Sequence, residues 1–114
     1  MILRNGFLAG VVLAALSAPA SAGFTDGNKL YQDCTGMLTM LDSSCAAYIS
    51  AVADMLATGP VGRHRACLPN GVKLGQAVDV VKQWLNENPQ SRHLPGPEVV
   101  STALERAFPC KGSL

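Results

Sequence analysis

Apolar residues recur along this chain at the three- and four-residue spacing of amphipathic helices, in four separate segments. None of the segments has the every-second-residue alternation that is typical of a strand. We therefore predict an all-α fold, a small helical bundle of four or five short helices. The apolar positions are Leu30, Cys34, Leu38 and Leu41; Cys45, Tyr48, Ile49, Val52 and Leu56; Leu74, Ala77, Val78, Val81 and Leu85; and Val100, Ala103, Leu104, Ala107 and Phe108.

Capping and helix-breaking residues indicate where the first two helices begin and end. The first helix is predicted from about Asn28, and Gly36 is a candidate left-handed cap at its end. The second helix follows residues 42–44, Asp-Ser-Ser, any of which can accept a hydrogen bond from the free first-turn amides. Residues 59–60, Gly-Pro, are predicted to end it.

The last two helices flank a proline-rich connection. The third helix is predicted to start near Lys73, with Trp84 at the edge of its apolar face, and to stop at residues 88–89, Asn-Pro. Pro97 is predicted at the first position of the fourth helix, where its missing N–H costs nothing. Glu98 follows it, close to the positive end of the helix dipole.

Residues 1–22 have the pattern of a secretory signal peptide, with an apolar run at residues 7–16 and an Ala-x-Ala cleavage site ending at Ala22. A retained membrane anchor is the alternative, but it would need about 20 apolar residues, and Pro19 interrupts this run. Cleavage after Ala22 would leave residues 23–114 as one small exported domain.

Net charge argues against several kinds of partner. One of the nine basic residues, Arg4, lies in the signal peptide, which leaves eight basic residues against eight acidic ones. A neutral domain favours neither nucleic acid nor an anionic membrane after signal cleavage. A surface that carries both signs of charge suits a protein partner or self-association.

The four cysteines are predicted to form disulfides, because an exported small domain with an even cysteine count is typically cross-linked. Three pairings are open, and we favour Cys34 with Cys45 and Cys67 with Cys110, since a helix that ends at Gly36 brings Cys34 close to the turn before Cys45. Zinc ligation is the competing interpretation, but the spacings are long and irregular. We predict no metal and no cofactor.

Residues 86–98, Asn-Glu-Asn-Pro-Gln-Ser-Arg-His-Leu-Pro-Gly-Pro-Glu, place charged groups and an imidazole between prolines and raise the question of catalysis. The available bases, His64 and His93, each lie beside arginine, whose charge disfavours a further proton. No Gly-x-Ser-x-Gly motif and no carboxylate pair at helical spacing is present. The sequence therefore predicts a protein that is not an enzyme.

Two interpretations of the connection stay open. In one, the prolines stiffen an interhelical link, and its arginine and histidine either cap the third helix or face water. In the other, the stiff loop is a partner-binding edge, because it loses little entropy on docking. Charge and expected exposure select five candidate partner-binding residues: Arg63, His64, Arg65, Arg92 and His93.

The chain resembles the Rap/Tai family of periplasmic immunity proteins, and the resemblance covers nearly all of residues 23–114. It rests on the order and spacing of several short motifs rather than on any single one. They are Asp33-Cys34, the stretches 45–54, 67–76 and 80–89, the Arg92-His93-Leu94 sequence, and the stretch 103–110.

The resemblance implies a periplasmic, disulfide-containing helical domain, often a homodimer, that protects a bacterium from peptidoglycan amidase effectors of type VI secretion by blocking the effector's catalytic cleft. It also makes His93 a family signature residue with a structural as much as a binding role. Lys73 departs from the family, which often has a hydroxyl there, so only Gln76 remains of a capping box. The alternative function is a small exported stress or acid-response chaperone that exposes apolar surface at low pH.

Overall fold

The computed structural model describes residues 23–36 and 43–112, and it confirms the all-α prediction over those ranges. The helices are α1 (Gly27–Thr35), α2 (Ser44–Thr58), α3 (Leu74–Glu87) and α4 (Gly96–Ala107), with one 3₁₀ turn at Pro89–Ser91. The only β pairing in this part of the chain is two isolated bridges. The predicted signal peptide, the apolar positions Leu38 and Leu41, and Asp42 lie outside the described residues.

No helix within the described ranges has the length and apolar character that a membrane span requires.

Side-chain caps begin the first two helices. Asp26 caps α1 by accepting a hydrogen bond from the N–H of Lys29 at 2.9 Å. Ser43 caps α2 and accepts from the N–H three residues on, at 3.2 Å. The predicted left-handed cap at Gly36 is wrong, because Gly36 ends α1 with φ −96° and its N–H still donates to the carbonyl of Gln32. The series of helical hydrogen bonds thus ends at Gly36 without a residue in the left-handed conformation.

The ends of α3 follow the prediction. The N–H of Lys73 donates to Oε1 of Gln76 at 2.8 Å, which is the half of a capping box that the sequence retains. The lysine side chain has no acceptor atom, so it cannot supply the other half. Asn88 ends the helix, and its side-chain amide donates to the carbonyl of Trp84 at 2.8 Å.

The start of α4 differs by one residue from the prediction. The helix begins at Gly96, so Pro97 is its second residue. Gly96 can open the helix because its N–H is satisfied outside it, by the carbonyl of Thr25 at 2.8 Å. A side chain at Gly96 would collide with the Tyr48 side chain, because an added Cβ would overlap the tyrosine hydroxyl.

The core lies between all four helices, each of which contacts the other three. The predicted face of α4 needs correction: Val99 and Ser101 are buried as well, whereas Ala107 is exposed and Phe108 is half-buried. The first part of α4 is enclosed by its neighbours on a wider arc than one stripe, and its last turn extends beyond them. The buried apolar residues are Leu30, Cys34, Cys45, Ala46, Ile49, Val52, Leu56, Ala66, Ala77, Val78, Val81, Leu85, Val99, Val100, Ala103 and Leu104.

Both favoured disulfides are confirmed. Cys34 is bonded to Cys45, with Cα atoms 5.1 Å apart, and joins the end of α1 to the start of α2. Cys67 is bonded to Cys110, with Cα atoms 5.0 Å apart, and joins the loop after α2 to the segment after α4. The second bond closes the longer loop, with a sequence separation of 43 against 11.

Candidate functional site

The basic loop after α2 begins with a tight hairpin, residues 61–64. The backbone groups of Val61 and His64 exchange two hydrogen bonds, each 3.0 Å long. Gly62 has φ +59° and Arg63 does not have a positive φ, which is the pattern of a type II′ turn with glycine at its first central position. The turn therefore puts Arg63 at the tip of the hairpin, where it is exposed.

Glu105 of α4 contacts the hairpin through both carboxylate oxygens. Oε2 accepts a hydrogen bond from the backbone N–H of Arg65 at 2.7 Å, and Oε1 lies 3.1 Å from Nδ1 of His64. The hydrogen bond from Arg65, and then the one from His64, lower the pKa of Glu105 below its usual value, because both stabilise the ionised carboxylate. No local sequence pattern points to Glu105, because it is 40 residues from Arg65 along the chain.

The chain just after the hairpin is joined to the end of α4 at two further points. The N–H of Cys67 donates to the carbonyl of Phe108 at 2.8 Å, and the disulfide to Cys110 lies next to it. Ala66, between these contacts and the hairpin, is buried in the core. The basic loop is thus held against α4.

The connection between α3 and α4 lies along the start of α1. Arg92 accepts a backbone hydrogen bond from Asn28 at 2.7 Å, and Leu94 accepts one from Gly27 at 2.9 Å. Together with the bond between Gly96 and Thr25, these contacts pair residues 25–28 with residues 92–96. The two segments therefore form one surface although they are far apart in sequence.

Arg92 caps the carbonyl end of α3 and does not simply face water, which were the two possibilities that the sequence left open. Its Nε donates to the carbonyl of Leu85 near the end of α3, at 2.8 Å. Its guanidinium lies over the ring of Tyr31, 3.6 Å from the centroid, in a cation–π contact. His93, the next residue, is exposed.

A groove of about 320 Å³ separates the hairpin from the start of α4, and a smaller pocket of about 150 Å³ adjoins it on the other side of Pro95. We call the combined surface the Pro95 face. Phe24 is 98% exposed at its edge. The groove is lined by Val61, Gly62, Arg63, His64, Pro95, Pro97 and Glu98, and the pocket by Gly23, Phe24, Thr25, Asp26, His93 and Pro95.

Three of the five candidate residues, Arg63, His64 and His93, meet on the Pro95 face. Arg65 is exposed beside a different pocket, next to the Cys67–Cys110 bond, and Arg92 is used in the contacts between α1 and α3 described above. No sequence signal selects Phe24, Pro97 or Glu98 for this surface. Only the pairing of the two distant segments brings them together.

The site contains no reactive thiol, because all four cysteines are in disulfides. In the described part of the chain, no three His, Cys, Asp or Glu side chains are grouped so that they could hold a metal ion. The surface is thus built from an exposed arginine, a groove with proline and valine walls, and an exposed aromatic ring. These are features of a protein-binding surface.

Fold and surface together define a small disulfide-linked helical domain with a preorganised face. The chain belongs to the family of Rap1a immunity proteins, whose model matches residues 26–110 and so covers all four helices, both disulfides and the hairpin. No curated protein matches the sequence. Proteins of this immunity family are generally not enzymes and are typically periplasmic.

Proposed function

We propose that this protein is a periplasmic immunity protein that binds an effector of type VI secretion, a peptidoglycan amidase, and blocks its active-site cleft. The family match over residues 26–110 is the observation that carries the proposal. The protein acts by binding and carries out no chemistry of its own. An exported, oxidising location agrees with its two disulfides.

The Pro95 face is the surface that we assign to effector binding. Its hairpin is joined to α4, and its proline-containing segment is paired with the start of α1, so little conformational entropy is lost when a partner docks. Arg63 supplies an exposed charge next to apolar walls. Phe24 adds an exposed aromatic side chain, a residue type that often supplies a large share of binding free energy.

Affinity capture tests the proposal. A tagged copy of the mature protein, produced in the periplasm, is expected to retain a peptidoglycan amidase and to inhibit its hydrolysis of peptidoglycan at a one-to-one ratio. Cells that make the protein should survive periplasmic expression of that amidase. Capture of no cell-wall hydrolase, or survival that does not depend on the immunity protein, would show that the function is different.

Two arginine variants map the surface. Arg63→Ala should weaken amidase binding by roughly tenfold or more, since a charged hot-spot contact contributes at least ~1.4 kcal/mol. Arg65→Ala removes the same charge two residues away but outside the Pro95 face, and its backbone N–H still reaches Glu105. Equal losses in both variants would mean that the binding edge runs along the whole basic loop.

We also propose that the protein is a homodimer, as the family resemblance implies. A groove of about 520 Å³ between α3 and α4 has Trp84 on its wall and carries Glu87 and Arg106, which have opposite charges. Such a pair can complement itself across a twofold axis, where each glutamate meets the partner's arginine. Arg106→Glu should then give a monomer in light scattering, and Glu87→Arg added to it should restore the dimer; a monomeric wild type would refute the proposal.

A further inference from the structure

Glu105 makes the side-chain hydrogen bonds that join the hairpin to the helical bundle, at the two residues that follow Arg63. The two hydrogen bonds inside the hairpin fix its shape but not its direction, because both join Val61 and His64 to each other. A single short hairpin is at best marginally stable in water without further packing. The direction of the tip therefore depends on contacts outside the hairpin.

The other contacts near the tip are apolar: Val61 packs against the core and Ala66 is buried in it, and apolar packing has no directional preference. The next backbone and covalent contacts lie farther along the chain. On one side, the backbone bond of Cys67 and the disulfide begin four residues after Arg63. On the other side, α2 ends at Thr58, before residues 59–60, Gly-Pro. Glu105 binds His64 and Arg65, the two residues that follow Arg63.

The contact also has geometric selectivity. Each oxygen of Glu105 has its own partner, a backbone N–H for Oε2 and an imidazole nitrogen for Oε1. Two bonds from one planar carboxylate fix both the distance and the orientation of the hairpin relative to α4. The charged groups that face this carboxylate are His64 on the hairpin and Arg106 on α4.

We propose that Glu105 is the positioning residue of the Pro95 face: it holds the hairpin so that Arg63 is presented beside the groove, and it thereby sets the affinity for the partner. The effect of Glu105 on partner binding rests on the proposed function. Its effect on the position of the hairpin does not, so an experiment can refute either effect without the other.

The first test uses the full mature protein without any partner. Amide hydrogen exchange of Arg65, corrected for its intrinsic rate, should be about fivefold to tenfold faster in Glu105→Ala than in the wild type at pH 7. Glu105→Gln keeps an acceptor oxygen and should be intermediate. The exchange of α4 amides should be unchanged in both variants, which separates a loose hairpin from a disrupted fold.

Acid gives a readout that a purely structural residue would not produce. The wild-type Arg65 amide should lose its protection only as the pH falls below the usual pKa of a glutamate, because the two hydrogen bonds lower the pKa of Glu105, whereas Glu105→Gln should show no such step. Asp79→Asn, at an exposed carboxylate of α3 outside both proposed binding surfaces, is the control and should keep the wild-type step. Wild-type and Glu105→Ala profiles that coincide would overturn the proposal.

The second test measures coupling, with the amidase captured by the wild-type protein as the ligand. Glu105→Ala should weaken binding by about tenfold in the wild type but by less than about twofold in Arg63→Ala, because the positioned side chain is then absent. Equal losses in both backgrounds would mean that Glu105 does not act through Arg63. If no amidase is captured, the proposed function fails and the exchange test still decides the role of Glu105.

Discussion

Gly27 and Gly75 are both helical glycines, but their surroundings predict opposite effects of the same substitution. A Cβ added at Gly27 would lie 2.7 Å from the backbone oxygen of Arg92 and 2.8 Å from its Cα, whereas nothing lies within 4 Å of a Cβ at Gly75. Backbone atoms cannot rotate away as a side chain can. The contact at Gly27 therefore explains why the first residue of α1 is a glycine.

We predict that Gly27→Ala lowers the free energy of unfolding by about 1–3 kcal/mol, the usual cost of overpacking. Gly75→Ala should raise it by roughly 0.5 kcal/mol through helix propensity and the loss of unfolded-state freedom. Urea unfolding of both variants at pH 7 checks this pair. No destabilisation by Gly27→Ala would contradict the close approach of residues 25–28 to residues 92–96, and destabilisation by Gly75→Ala would contradict the open space around that glycine.

Arg92 was selected from the sequence as a binding candidate, but its side chain makes two internal contacts. Arg92→Ala loses the bond to the Leu85 carbonyl and the contact with the Tyr31 ring, and it should lower stability by about 2 kcal/mol. His93→Ala, at the exposed neighbour, should stay within about 0.5 kcal/mol of the wild type. Thermal and urea unfolding compare the stabilities of the two variants. A larger loss in His93→Ala than in Arg92→Ala would mean that the stacked guanidinium contributes nothing to stability.

At the scale of the elements, the sequence predicted what depends on neighbours along the chain. A cap within residues 42–44, the stop at Asn88 and the buried stripes of α2 and α3 are set within one or two helical turns, so their signals are local. The contact of Glu105 with Arg65 spans 40 residues, and no hydrophobic periodicity predicts it. The Pro95 face likewise joins residues near 24, 63 and 96, which only the packing of the bundle brings together.

The disulfides are element-scale constraints that differ in loop length. In a chain-entropy description, closing the Cys67–Cys110 loop stabilises by about 4 kcal/mol and closing the Cys34–Cys45 loop by about 3 kcal/mol. Replacing Cys67 and Cys110 by serine should therefore lower the free energy of unfolding more than replacing Cys34 and Cys45. Urea unfolding measures the difference. Only the loss of the Cys67–Cys110 bond should also accelerate amide exchange around residue 65. A larger cost for the Cys34–Cys45 pair would refute the loop-length argument.

For the whole molecule, the shifted pKa values of Glu105 and Tyr48 make stability depend on pH at the acid and at the alkaline end. Hydrogen bonds from Arg65 and His64 lower the pKa of Glu105, so its contribution is present above the unfolded value near 4.3 and is lost as the pH falls through the folded value. Burial raises the pKa of Tyr48, so the folded state loses stability once the pH rises past about 10. Between these limits the contribution of the two groups to stability is constant.

This plateau separates an immunity protein from the acid-response chaperone that the sequence left as an alternative. Because the Glu105 side chain is 36% exposed, water screens its ion pair, and its loss should lower stability by less than about 1 kcal/mol. Two disulfides and the four-helix core remain when that contact is gone. We therefore predict no increase in binding of an apolar dye between pH 7 and pH 4, with urea midpoints as the parallel measurement. Strong dye binding at pH 4 by the folded, oxidised protein would favour the chaperone instead.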